Sequence, residues 1–474
     1  MFQSIFDFLA GLAKYLPEIR APERQVTAKE KIMWLGAVIL VYFVLYHITV
    51  FGLKTGAGTT DFIQVVTASK FGSFLTLGIG PIVMASLFLQ LFNGAGLISI
   101  NLQDPAQKKK FHQLQVVLAI IVALVEGYAF ATNLVGQGMA EPTILAKFGT
   151  DVASASGFML HLVALQFVLG AIFIIYMDEI VQKYGIGSGI SIFIASGVSA
   201  TILNQGLNLF IGSNGIINKF AEGGANAIGQ SLISLIPLFA TIVIFYVVIY
   251  GSLLKVRIPI SFGAMRAAGR PLELPLFYVS NIPVIFAAAL FMNFYFLHQA
   301  AFNAITPDNM NWLGPLSDFI QLFTPFNPGM DMNNYFALLM QPSQYLGVPG
   351  WGHALVYILS LSTIAVFFGL FWIEMSKMDA KSVAGQLSQY GANIPGYRQD
   401  RRFLEQKLGE YIVPLTIAGS FSIGLLAGIA DLTGALGTGT GILLTVTILY
   451  QFTKQSREIF ETYFPRFAKF VLGE

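Results

Sequence analysis

Ten apolar runs, each long enough to cross a bilayer as a helix, set the limits on what this chain of 474 residues can fold into. They lie at about residues 32–53, 73–93, 113–135, 158–177, 188–211, 231–254, 275–297, 352–375, 411–430 and 438–453. A hydrocarbon core about 30 Å thick takes roughly 20 residues as a helix. The runs are continuous rather than alternating, and a chain with 42 Phe in such runs does not suit the alternating strands of a barrel. Only 11% of the residues are charged, against roughly 25% in a soluble globular protein, so a water-facing surface could not be coated. The sequence predicts an all-α integral membrane protein with ten transmembrane helices.

Orientation follows from Lys and Arg, which stay in cytoplasmic loops. With both termini inside, the inner segments hold 23 of the 27 basic residues, and only Lys54, Lys70, Lys147 and Lys219 lie outside. A multi-pass protein of the cell membrane, N-in and C-in, is expected. Before the first run, Phe2, Ile5, Phe6, Leu9, Leu12 and Leu16 recur at helical spacing beside Asp7 and Lys14, up to Pro17. That pattern predicts an interfacial amphipathic helix; a cleaved signal peptide is not expected, for want of a basic n-region and a small-residue cleavage site. Cysteine is absent, which excludes disulfides, thiolate metal sites and cysteine nucleophiles. A net charge of +2 does not argue for nucleic acid.

Ion-coupled carriers and pumps place ionisable groups at mid-membrane. Here Glu126 is the clearest carboxylate inside a span, with His47 and His161 near span ends. Three scattered groups make a poor relay, and Glu126 reads as a partnered carboxylate in a helix interface. No phosphate-binding Gly-rich loop, His-Glu-x-x-His or intramembrane Gly-x-Gly-Asp occurs, so no enzyme, cofactor or metal is expected.

The interior carries glycine and proline instead. Gly72, Gly78, Gly80 and Pro81 interrupt the second span, Gly185, Gly187 and Gly189 open the fifth, Asn281 and Pro283 break the seventh, and Gly434, Gly437, Gly439 and Gly441 open the tenth. Close helix packing explains such glycines, and so do broken helices lining a cavity. GIGSGI at 185–190 echoes GTGTGI at 437–442, and GIGPIV at 78–83 echoes SNIPVI at 280–285. One member of each pair is entered from inside and the other from outside, as an inverted repeat requires. Two inner segments, about 255–273 and 376–409, carry four and six basic residues. They serve topological retention, or dock a large polyanion or acidic partner. The outer segment 298–351 shows no functional motif.

The stretches FGSFLTLGIGPIV (71–83), DEIVQKYGIGSGISIFIA (178–195), LPLFYVSNIPVIFAAALF (274–291) and GALGTGTGILLTVTILYQ (434–451), with PEIRAPERQVTAKEKIMW and IPGYRQDRR (394–402), closely resemble the SecY family, the alpha subunit of the Sec protein translocation channel. The resemblance runs from about 15 to 460, in the archaeal and eukaryotic branch. It implies two inverted five-helix halves forming an hourglass channel with a re-entrant plug helix. The expected plan is a cytoplasmic N-terminal helix and linker (1–31), an N-terminal half (32–211) with the plug at about 60–71, an external hinge (212–230), a C-terminal half (231–454) and a cytoplasmic tail (455–474).

Carried over by the resemblance, the pore ring is Ile79, Val83, Ile190, Ile194, Ile285 and Leu444, and all six positions are aliphatic. The plug is Asp61, Phe62, Ile63, Gln64, Val65, Val66, Thr67, Ala68, Ser69 and Lys70. Spans two and three against seven and eight form the lateral gate, with Gln115 and Asn281 as its polar positions. Met84 stands where relatives often carry Thr, and Val116 where a Lys commonly follows the Gln. Lys255, Arg257, Arg266, Arg270, Arg398, Arg401 and Arg402 match the loops that dock a ribosome or a translocation motor. The implied partners are a SecE-like gamma subunit, a small beta subunit, nascent polypeptides with their signal sequences, and membrane lipid. The expected function is a protein-conducting channel that also releases transmembrane segments laterally into the bilayer. A secondary transporter with a midplane site, and an insertase-like scaffold without an open pore, are the rivals.

Overall fold

The computed structural model describes residues 16–456 apart from 54–68, 71, 95, 99, 101–103, 137–151, 213–214, 223–226, 259–260, 263–270, 280–282, 292–293, 295–309, 324–347, 390–391 and 394–400, together with Phe6, Phe8, Leu9 and Gly11. Six helices among these residues are long and apolar enough to cross a membrane: Ala106–Thr132, Gly157–Tyr184, Gly189–Ala221, Ser231–Leu253, Gly350–Gln389 and Arg401–Leu432. The chain divides into two compact units, one of 1–199 with 448–474, the other of 200–447.

In the first unit, helix α1 (Ala28–His47) opens with a capping box. Thr27 Oγ1 accepts the N–H of Glu30, and the Glu30 carboxylate accepts the N–H of Thr27 at 3.0 Å, so two donors otherwise without a helical partner are satisfied reciprocally. The second apolar run does not begin as a helix. Residues 74–79 form successive turns, closed by bonds such as Gly78 N to the Leu75 carbonyl at 2.8 Å, and α2 starts only at Gly80 (Gly80–Gly94). The turns are held in place by a close approach: a Cβ on Gly170 would sit 1.8 Å from the Phe74 carbonyl oxygen, so only glycine lets the two backbones meet.

Asp104 and Pro105 start α3 (Pro105–Gly136), with Asp104 accepting the Ala106 N–H at 3.0 Å; a capping acid followed by proline is a preferred helix start. Helix α4 (Val152–Tyr184) follows, then α5 (Gly189–Ile211), whose residues from Ala200 on belong to the second unit. Tyr42 stacks on Phe193 at 5.1 Å between ring centres and Trp34 meets Tyr184 at 5.2 Å, contacts worth about 0.5–1.5 kcal/mol each beyond their area. From the N-terminal amphipathic stretch, Phe6 is buried against Leu89, Ile98 and Leu114, while Phe8 is exposed. At least one residue of the expected interfacial face therefore docks on protein.

The second unit contains short helices α6 (Ile216–Glu222) and α7 (Ala227–Ser234), then α8 (Ile236–Leu253), a helical stretch at 283–291, α9 (Met310–Gln321), α10 (Gly350–Met375), α11 (Ala380–Gln389) and α12 (Arg401–Leu432). Helix α13 (Gly439–Gln455) runs across the division between the units. Within a bilayer, helices associate through close packing of small residues rather than through burial from water. α10 and α12 show this: a Cβ on Gly424 would fall 2.6 Å from Ser362 Cα, and one on Gly369 2.2 Å from Ser420 Oγ.

Strand β1 (Lys255–Ile258) pairs antiparallel with β3 (Leu272–Pro275), and β2 (Ser261–Phe262) pairs with β4 (Ala392–Asn393). The second pairing joins the two basic segments. Beneath them Ile258, Leu274, Tyr278, Ile373, Ala384, Leu404 and Leu408 form one buried cluster.

Candidate functional site

Of the expected ring positions, Ile79, Ile190 and Ile194 sit where a helix begins after broken backbone. Ile79 ends the turns before α2, is 1% exposed, and its carbonyl accepts the Val83 N–H at 3.1 Å. Ile190 and Ile194 lie one turn apart at the start of α5, Ile194 being buried. These four belong to the first unit; Ile285, in the stretch 283–291, and the buried Leu444, on α13, belong to the second.

Broken backbone at membrane depth needs hydrogen-bond partners, and side chains supply them. Asp178, in the last turns of α4, accepts the N–H of Ile190 through Oδ1 at 3.0 Å, while its Oδ2 accepts Gln182 Nε2 at 2.8 Å. In the second unit, Asp431 Oδ1 accepts the N–H of Gly439 at 2.6 Å and its Oδ2 accepts the Tyr357 hydroxyl at 2.8 Å. Next to it, Thr241 Oγ1 accepts the N–H of Leu436 at 2.8 Å, and Gln205 Oε1 that of Gly437 at 2.6 Å. Gly187 and Gly437 have φ of 73° and 80°, left-handed values that glycine adopts without strain. Asp178, Asp431, Thr241 and Gln205 were not candidates on sequence grounds; the signal is an Asp shortly before each Gly-rich helix start.

Of the expected plug, positions 61–68 lie outside the described residues. Ser69 Oγ donates to the Thr76 carbonyl at 2.9 Å, and the Lys70 carbonyl accepts the Ser73 N–H at 3.0 Å, which ties this end to the turns before α2. Gln115 is half-buried on α3, and Asn281 lies outside the described residues. Glu126 stands beside the first residue of α2: a Cβ on Gly80 would be 3.4 Å from its Oε2, in keeping with a carboxylate in a helix interface.

Four of the expected docking residues are described, Lys255 and Arg257 on β1 and Arg401 and Arg402 at the start of α12. Lys255 Nζ lies 2.7 Å from Glu273 and Arg257 Nε 3.4 Å from the same carboxylate, so Glu273 offsets part of the positive charge. Arg401 starts α12 beside Gly385 of α11. Arg266, Arg270 and Arg398 lie outside the described residues. Among the described residues, no group of three or more His, Asp or Glu could hold a metal ion.

A family model described as SecY matches residues 73–453. The protein translocase subunit SecY of Methanococcus vannielii is 37% identical over 465 residues, covering 97% of this chain and 98% of that protein. Among solved structures, one described as a protein-conducting channel is similar with a TM-score of 0.68 and 34% identity, covering 97% of this chain and 99% of the other. Sec61 in the canine ribosome–channel complex from the endoplasmic reticulum is similar with a TM-score of 0.64 and 33% identity, over 97% and 99% of the two chains.

Proposed function

The chain belongs to the SecY family, and from that premise we infer how it works as a protein-conducting channel of the membrane. It is not an enzyme. The observation that carries this reading is its likeness, over 97% of its length, to a solved protein-conducting channel.

In the proposed mechanism, ten helices in two inverted halves meet at the ring Ile79, Val83, Ile190, Ile194, Ile285 and Leu444. A narrow aliphatic constriction offers water and ions no hydrogen-bond partner and closes by dewetting. The same side chains yield around an unfolded peptide without reading its sequence. Residues 61–70 plug the outer side. Spans two and three part from seven and eight to release apolar segments into lipid, with Gln115 and Asn281 favouring the closed gate. The chain works in the cell membrane, N-in and C-in, with a SecE-like gamma subunit and a small beta subunit. A cytoplasmic partner supplies the energy, and the ribosome is supported by the likeness to Sec61 in a ribosome–channel complex. Ribosomal RNA is a polyanion, which suits the paired basic segments.

The test is reconstitution of the chain with its small subunits in proteoliposomes and presentation of a secretory nascent chain on ribosomes. Protease protection of the chain inside the vesicles is expected. Uptake of a small solute with no protected polypeptide would replace the channel by a transporter.

A further inference from the structure

Asp178 and Asp431 occupy the same structural role in the two units, although they stand eleven and eight positions before Gly189 and Gly439. Each lies in the last two turns of one long helix and caps the next: Asp178 on α4 bonds the Ile190 N–H at the start of α5, and Asp431 on α12 bonds the Gly439 N–H at the start of α13. Asp178 also accepts Gln182 within its own helix, but in each acid Oδ1 is given to the helix that follows. A carboxylate near a helix C-terminus opposes the helix dipole, whereas at an N-terminus it is favoured. Their location makes sense through the helix that follows.

Contact at both places is close enough to exclude any side chain but glycine's. A Cβ on Gly189 would lie 2.7 Å from Asp178 Cα and 2.9 Å from its Oδ1; one on Gly439 would lie 2.2 Å from the Ala427 carbonyl oxygen and 2.9 Å from Asp431 N. Each carboxylate is also oriented from its far side, Asp178 by Gln182 and Asp431 by Tyr357. The atom that Asp178 holds belongs to Ile190 itself, and Gly439 lies just over one turn before Leu444.

We propose that Asp178 and Asp431 are a matched pair of positioning residues, one within each unit, that seat the two Gly-led helices and so fix Ile190 and Ile194 on α5 and Leu444 on α13 in the closed channel. The proposal rests on the ring assignment above. The proposal has both bonds made in the closed state and broken in the open one; a clamp shifts an equilibrium only by what it contributes to one state and not the other, so its removal opens the resting channel and relaxes its need for a good signal sequence.

The test is single-channel conductance in planar bilayers, with translocation of a substrate bearing a defective signal sequence, for the full complex carrying Asp178→Ala, Asp431→Ala or both. Resting ion leak is expected to rise about tenfold in each single variant, the size of one lost charge-assisted hydrogen bond in the closed state alone. The double variant leaks more than either, thermal melting stays near wild type, and the defective substrate passes. Asp178→Leu and Asp431→Leu, which keep bulk and remove the acceptor, carry the same test where an Ala variant does not assemble. Folded variants with wild-type leak and wild-type signal discrimination, whether or not they melt earlier, would reduce the pair to a structural role and overturn the proposal. A wild-type complex that translocates no polypeptide would instead defeat the channel reading, whatever the variants do.

Discussion

The hydroxyl of Tyr278 donates to the backbone carbonyl of Met378 at 2.8 Å, so the chain leaving the first basic segment is tied to the start of the second. Together with the β2–β4 pairing, this makes the two segments one platform rather than two independent loops. Tyr278→Phe keeps the ring in its buried cluster and loses about 0.5–1.5 kcal/mol. Chemical unfolding in detergent should show that loss, with weakened ribosome binding; an unchanged profile would mean that the bond does not hold the platform.

Charge on that platform is adjustable. Arg401→Ala should weaken binding to ribosomes and lower the slope of log affinity against log salt by about one. Glu273→Gln should do the reverse, because it frees Lys255 and Arg257 from an internal competitor. Binding titrations at several salt concentrations separate the two; equal slopes for all variants would remove these residues from the docking surface.

Much of this was legible in the sequence because hydropathy and glycine placement report directly on backbone in lipid. The long helices α3, α4, α5, α8, α10 and α12 fall on six of the ten expected runs, and the interruption at Gly78 and Gly80 is present as turns that delay α2 to Gly80. The platform strands were not legible: Lys255–Ile258 and Leu272–Pro275 are too short to show a period, and their pairing is set by partners far along the chain. Helix α9, inside an outer segment read as motif-free, carries Pro315 and a Gly and falls below any spanning pattern. Asp178 and Asp431 were hidden for another reason, since their partners are backbone N–H groups that no side-chain motif encodes.

Packing between the turns before α2 and α4 gives a sharp contrast. Gly170→Ala would place a Cβ against the Phe74 carbonyl and is expected to cost about 1–3 kcal/mol through overpacking. At Gly36 on α1 nothing lies within 4 Å, so Gly36→Ala should be neutral or gain about 0.5–1 kcal/mol. Unfolding midpoints of the two variants check this; equal effects would contradict the close approach.

Acid should weaken the start of α1. Glu30, outside the expected span, has its carboxyl held below the ordinary 4.5 by the Thr27 N–H first, then by the Thr27 side chain and the Arg24 guanidinium. A depressed folded pKa contributes stability that is present above the unfolded value and lost as pH falls through the folded one. The wild type should therefore melt above Glu30→Ala near neutral pH, with the ionised part of the gap closing below about pH 4.5. A gap that widens in acid would reverse the assignment.

Deleting 61–70 should make the resting channel leak ions in planar bilayers, since that segment is proposed to seal the outer side of the ring. Unchanged conductance would remove the plug from the account.

The most direct test of the central claim is a photoreactive side chain at Ile190 or Leu444, with a secretory chain stalled part-way through the reconstituted complex. Crosslinks from consecutive positions of the stalled chain, absent at the exposed Phe239 and Phe367, are expected. No crosslink at either ring position, with the chain nonetheless protected inside the vesicles, would show that polypeptide crosses by another route.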